Sequence, residues 1–182
     1  VQMDSVIGNK SGKVLLTMFS QNTNLLLAFL RDHNTARSVL DVFNDLYAMF
    51  GREIYCRLFP VILTDRGSEF SNPVPIEQDE NDELRSLVFY CNPSAPYQKG
   101  GIEVAHELVR RVLPKGKSFD DLQQEDIDLM LSHINSYKRG KLNSRSAYQL
   151  FNFIYGDDIL PKLNIREIEA NDIVLSPKLL KK

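Results

Sequence analysis

Apolar and polar positions along the chain change period at several points, and each change marks an element. Residues 1–7, 13–20 and 24–30 are short apolar runs of strand length. Gly8-Asn9-Lys10-Ser11-Gly12, between the first two, is turn chemistry and predicts a hairpin; the third run extends it to an antiparallel meander. From residue 34 the period lengthens. Ala36, Val39, Leu40, Phe43, Leu46, Tyr47 and Phe50 fall at helical spacing, with Asn34 as N-cap and Gly51 as stop. Pro60-Val61-Ile62-Leu63-Thr64 then reads as a continuous apolar strand, of the kind buried on both faces and paired in parallel. A helix between two strands is the crossover that a parallel pair needs.

Residues 71–83, rich in Pro, Asn and acid, predict a loop or frayed hairpin, and residues 87–91 a further strand. Residues 92–101 hold two prolines and two glycines and read as loop. The stripe Ala105, Leu108, Val109, Val112 predicts a helix over 102–113 with that stripe on the sheet, stopped by Pro114. Another helix starts at Ser118 or Asp120 and contains Ile127, Met130, Leu131 and Ile134; a last one covers 146–155. The order βββαββ followed by helices is an α/β fold with a mixed sheet of about five strands.

Composition narrows the class without naming a function. Of 182 residues, 43% are hydrophobic and 25% charged, the balance of an ordinary globular protein. No apolar run is long enough to span a bilayer, and the N-terminus lacks the pattern of a secretory signal. Cys56 and Cys91 lack metal-ligand spacing and read as reduced thiols in a cytosolic protein. The net charge is −2, yet the charges are segregated. Residues 99–117 carry five basic side chains against two acidic ones, and residues 138–145 carry four and none. Such a chain can present a basic face while near neutral overall; solvated helix faces give the same pattern.

Three acids stand out by placement. Asp4 lies inside a strand, where aspartate is disfavoured, so it is either at an exposed edge or there for chemistry. Asp65 ends a strand, where α/β sheets bind ligands, although Thr64-Asp65-Arg66-Gly67-Ser68 also fits a plain Asx turn. Glu103 opens a helix after a glycine-rich loop, a position that any glutamate favours. On that helix Glu103, His106 or Glu107, and Arg110 share the face beside the apolar stripe.

Three blocks around these acids, Val1-Gln2-Met3-Asp4-Ser5-Val6-Ile7-Gly8, Leu63-Thr64-Asp65-Arg66-Gly67-Ser68-Glu69-Phe70 and Tyr97-Gln98-Lys99-Gly100-Gly101-Ile102-Glu103, resemble those of the DDE transposase and retroviral integrase superfamily. The insertion-sequence-thirty family of bacterial transposases is the most similar branch. Leu113-Pro114-Lys115-Gly116, and the stretch from Ile134-Asn135 through Arg139 and Leu142 to Ser146-Ala147-Tyr148-Gln149-Leu150-Phe151, resemble that family's ending. Sixty residues separate Asp4 from Asp65 and 37 separate Asp65 from Glu103, the second gap being slightly long for the family. The acidic stretch 76–84 is the place for the extra residues. Val1 and Gln2 stand where the family usually has tryptophan and glutamate, and Ala105 where it often has asparagine. Family members also carry an N-terminal helix-turn-helix region, so the sequence reads as an excised core.

The resemblance implies a ribonuclease-H-like fold with a five-stranded mixed sheet flanked by helices and a C-terminal helical tail. Residues 1–115 would form the catalytic core and 116–182 helices that pack on or extend it. It implies that Asp4, Asp65 and Glu103 hold two Mg²⁺ or Mn²⁺ ions, Asp4 shared between them, and that His106 assists catalysis. Tyr97, Gln98, Lys99, Arg110 and Arg111 are the implied DNA contacts. The implied activity is phosphodiester hydrolysis at transposon ends, then attack of the freed 3′-OH on target DNA. The implied partner is double-stranded DNA, bound by a homodimer in the bacterial cytoplasm at the nucleoid, with no membrane. The rival readings are a nuclease that only hydrolyses, and an inactive DNA-binding or dimerisation remnant.

Overall fold

The computed structural model describes residues 1–9, 12–92 and 95–180. The first three strands are β1 (Gln2–Ile7), β2 (Val14–Phe19) and β3 (Leu26–Arg31), paired antiparallel in sequence. Lys10 and Ser11 of the expected hairpin turn lie outside the described residues. Helix α1 (Ala36–Leu58) crosses over to β4 (Val61–Thr64), and after the short α2 (Val74–Glu77) comes β5 (Leu87–Tyr90). Both β1–β4 and β4–β5 are parallel, giving one sheet in the order β3-β2-β1-β4-β5. Then follow α3 (Gly100–Val112), α4 (Gln124–Ser136), α5 (Ala147–Tyr155) and α6 (Ile159–Lys162). This is the ribonuclease-H-like architecture. Among the described residues no helix is long and apolar enough to cross a membrane.

Several boundaries differ from the sequence reading, each for a local reason. Thr35, not Asn34, caps α1, in a capping box with Ser38. Asn34 instead accepts from Arg31 and donates to Glu69. Gly51 does not end α1. It takes φ 69° and kinks the chain, and the helix resumes to bury Tyr55 and Leu58. Residues 71–83 contain α2, and Gln78 bridges to Leu84 beyond it. The helix expected from Ser118 or Asp120 starts at Gln124, because the Asp120 carboxylate accepts the Lys13 N–H at the start of β2. Strand β4 is covered on one face only: Ile62 and Thr64 are buried, but Val61 is exposed. Helix α3 packs on β1 and β2.

The two faces of β1 therefore have different partners. Ser5 points to the α1 side, where its hydroxyl accepts from Arg31. Gln2 and, two residues on, Asp4 point to the α3 side, as strand alternation requires. Ala105, Leu108, Val109 and Val112 of α3 are buried as the stripe predicts. Ile127, Met130, Leu131 and Ile134 of α4 join the same hydrophobic cluster as the sheet.

Helix α4 also closes one edge of the sheet. Asn135 is fully buried, its Oδ1 accepting from Leu26 N (2.9 Å) and its Nδ2 donating to Leu26 O (2.8 Å). Gln124 repeats this two residues apart, accepting from Leu30 N (2.8 Å) and donating to Ala28 O (3.1 Å). Side-chain amides thus stand in for a missing neighbour strand along β3, satisfying backbone groups that an edge otherwise leaves open.

Candidate active site

The parallel pairing of β1 with β4 sets Gln2 opposite Leu63. Two residues further along each strand come Asp4 and Asp65, on the same side of the sheet. Their carboxylates meet at one point, the ammonium of Lys99. Its Nζ is 2.7 Å from Asp65 Oδ2 and 3.3 Å from Asp4 Oδ2. The Lys99 side chain is 9% exposed, against 25% for Asp4 and 48% for Asp65, so the cation lies deepest.

The other carboxylate oxygens are held by the backbone. Asp4 Oδ1 accepts from Ser5 N (2.8 Å) and Asp65 Oδ1 from Gly67 N (2.9 Å). Asp65 thus makes the Asx turn that its sequence context allowed, while its other oxygen takes the Lys99 contact. Burial alone would raise the Asp65 carboxyl. The hydrogen bonds from Lys99 and Gly67 and the Lys99 charge outweigh it and hold the group below its ordinary value. Burial likewise lowers Lys99, but the two carboxylates reverse the sign and keep the ammonium charged.

The segment that delivers Lys99 is a 3₁₀ turn over Pro96–Lys99 running into α3. Gln2, 2% exposed, clamps it to β1: its Nε2 donates to Gln98 O (2.9 Å) and its Oε1 accepts from Ile102 N (2.8 Å). Gly101 permits the close approach, since a Cβ there would fall 2.6 Å from the Phe19 ring. Gln2 entered the sequence reading only as a departure from the family pattern. A glutamine at a core position of a strand, like the aspartate two residues on, was the available signal.

His106 sits one turn into α3. Its Nε2 is 2.8 Å from Thr17 Oγ1, and that hydroxyl donates to Asp4 O (2.9 Å). With the hydroxyl proton committed to Asp4, Nε2 carries the ring proton. Burial pushes the imidazole below its usual range despite the nearby Asp4. Thr17 lies directly across the β1–β2 ladder from Asp4, so the three residues tie α3 to the strand that carries the acid.

Glu103 is exposed in the first turn of α3. Among the described residues no three His, Cys, Asp or Glu side chains are grouped closely enough to hold a metal ion together. Asp4 and Asp65 are brought together; Glu103 stands on the helix whose neighbouring residues touch Gln2 and Thr17, without joining them. Of the expected DNA contacts, Tyr97 is 79% exposed and Arg111 is exposed. Lys99 is buried in the acid pair, Gln98 Oε1 accepts from Asn92 N, and Arg110 donates to Ile7 O (3.0 Å) at the end of β1. Cys91, just after β5, has its thiol pushed up by burial and is protonated at neutral pH.

No protein-family model matches the chain. Over 154 residues it is 29% identical to ORF3 of Spiroplasma virus SpV1-R8A2 B, which carries an integrase name, covering 83% of this chain and 45% of that protein. It is 23% identical over 151 residues to the transposase for insertion sequence element IS4351 of Bacteroides fragilis, covering 83% and 44%. The chain thus spans less than half the length of these relatives. Among solved structures, the catalytic core domain of BIV integrase superposes with a TM-score of 0.54 at 21% identity, covering 85% of this chain and 91% of that one. Relatives carrying integrase and transposase names are matched over most of the chain, and the sheet has the topology of an integrase catalytic core: in sequence and in fold the chain is similar to the DDE transposases and retroviral integrases.

Proposed function

We propose that the chain is the catalytic core of a DNA transposase or integrase that cuts and joins phosphodiester bonds with divalent metal ions. The observation that carries this reading is the convergence of Asp4 and Asp65, from adjacent parallel strands, on a single cation. Hard carboxylate oxygens around a half-open cation position suit Mg²⁺ or Mn²⁺, which keep coordination sites for water and phosphate. Asp4 would be the ligand common to two such ions, with Asp65 a ligand to one of them. Glu103, exposed in the first turn of α3, would be the third carboxylate ligand. When bound, such a pair of ions supplies positive charge to the attacking and leaving oxygens of an in-line displacement at phosphorus.

The remaining side chains have positioning and binding parts. Neutral His106, through Thr17, fixes the strand that carries Asp4. Tyr97, projecting from the 3₁₀ turn, is placed to stack on an unpaired base at a DNA end. Arg111 offers a free guanidinium to a phosphate, and Arg110 and Gln98 shape the surface around it. Residues 1–115 carry the chemistry and residues 116–182 brace the sheet. DNA, as transposon ends and target, is the partner; holding two ends calls for two copies of the chain, a homodimer acting at the bacterial nucleoid.

One observation favours a second reading, a non-enzymatic DNA-binding module: Lys99 gives the acid pair a counter-charge from within the chain itself. An oligonucleotide assay in Mn²⁺, with labelled element-end DNA and a target duplex, separates the two and also detects an enzyme that only hydrolyses. Asp65→Asn should abolish both cleavage and joining with the circular dichroism spectrum unchanged. Joining at the wild-type rate by that variant would remove Asp65 from the mechanism.

A further inference from the structure

Lys99 is unusual among the cations of this chain. The other basic side chains near the site, Arg66, Arg110 and Arg111, make no ion pair with either acid, whereas Lys99 contacts both Asp4 and Asp65 and is 7% exposed as a residue. Two carboxylates brought this close repel each other, and a cation between them offsets that repulsion. Lys99 provides it from a rigid base. The turn beneath it is fixed by one hydrogen bond that Gln2 donates to Gln98 O and one that it accepts from Ile102 N, and Gly101 packs against Phe19. The backbone is anchored, while the four-carbon stem above it can rotate.

We infer that Lys99 is a built-in placeholder: its ammonium holds the position of the active-site cation until a divalent ion displaces it. This rests on the metal-dependent reading above. The ammonium is a compact point charge with three donors, a size and charge that let it bridge two carboxylates as a small cation does. Asp4 and Asp65 cannot close around a second cation with the ammonium between them. Displacement therefore swings the Lys99 stem outward, beside Tyr97 at the mouth of the site, where the freed charge faces an incoming phosphate. Lys99 is accordingly a positioning residue. It preserves the acid pair in the resting protein, lowers its affinity for metal, and gives up its charge to DNA once metal is present.

Competition gives the test. Mn²⁺ binding to the wild-type chain, K99Q, K99M, K99R and D65N is measured by titration calorimetry, with thermal melts of each protein in chelator and in saturating Mn²⁺. The expected result is that K99Q and K99M bind Mn²⁺ roughly ten-fold tighter than wild type, the value of one charged hydrogen bond no longer lost on binding. They should also melt lower than wild type in chelator and gain more from Mn²⁺, while K99R, which keeps the charge, stays near wild type. Neutral variants that are unfolded in chelator and folded in Mn²⁺ support the same conclusion. Equal or weaker Mn²⁺ binding by K99Q and K99M, with wild-type binding intact and lost in D65N, overturns the placeholder and leaves the metal reading standing. Variants unfolded in both conditions overturn it as well, because Lys99 is then a fixed structural ion that no metal replaces. Absence of Mn²⁺ binding in wild type and variants alike removes the metal reading, and the placeholder with it.

Discussion

Two neighbouring glycines show how closely single residues fix the site. Gly100 has nothing within 4 Å of the position its Cβ would take and has helical dihedrals. At Gly101 a Cβ would meet the Phe19 ring at 2.6 Å and Gln2 Oε1 at 2.9 Å, both on side chains with almost no exposure. Gly100→Ala should therefore be neutral or stabilising by up to about 1 kcal/mol, through helix propensity. Gly101→Ala should cost roughly 1–3 kcal/mol of overpacking, lowering the denaturant midpoint and displacing the clamp that Gln2 makes on the Lys99 turn. Equal midpoints for the two variants would contradict the close approach. At this scale Asp4 and Asp65 stood out in the sequence, because an aspartate inside a strand is an exception to propensity and one at a strand end stands where α/β sheets bind ligands. The role of Lys99 was not. A lysine in a loop reads as a surface cation, and only the β1–β4 register shows that two carboxylates wait for it.

Elements were legible wherever one face of a helix or strand is buried, since burial writes the period into the sequence. The α3 stripe and the strand runs are of this kind. The misplaced start of α4 and the stop assigned to Gly51 are not. One depends on Asp120 finding a distant N–H, the other on packing beyond a kink. Helix α4 also holds the C-terminal segment through a titratable group. His133 Nδ1 accepts from Val174 N (3.1 Å), a bond that only the neutral ring can accept. Burial, with help from Arg166 and against Asp172, holds the imidazole below its ordinary 6.5. The unfolded chain then takes up this proton at higher pH than the folded one. This part of the stability is complete above about pH 6.5 and declines as pH falls below it. Thermal melts should show Tm dropping between pH 7 and pH 5, with a shallower drop in His133→Asn; His106, lowered by burial too, supplies the remainder. A His133→Asn variant with an unchanged slope would detach His133 from this pH dependence.

Over the whole molecule, one sheet serves two purposes. Its antiparallel half, closed along β3 by the amides of Gln124 and Asn135, is the frame. Its parallel junction, β1 beside β4, places side by side two acids with 60 residues between them in sequence. The strand order was readable in outline, because a meander followed by a crossover helix leaves few topologies. The third acid was readable as a residue but not as a position: Glu103 faces solvent, and the pair it was expected to join is filled by Lys99. The central claim is that this pair is a divalent-metal site. A crystal of the chain soaked in Mn²⁺, with anomalous scattering recorded at the manganese edge, tests it most directly. An anomalous peak is expected between Asp4 and Asp65, with the Lys99 side chain turned away and Glu103 drawn inward. Ammonium density still bridging the two acids, with manganese elsewhere or absent at saturating concentration, would contradict it.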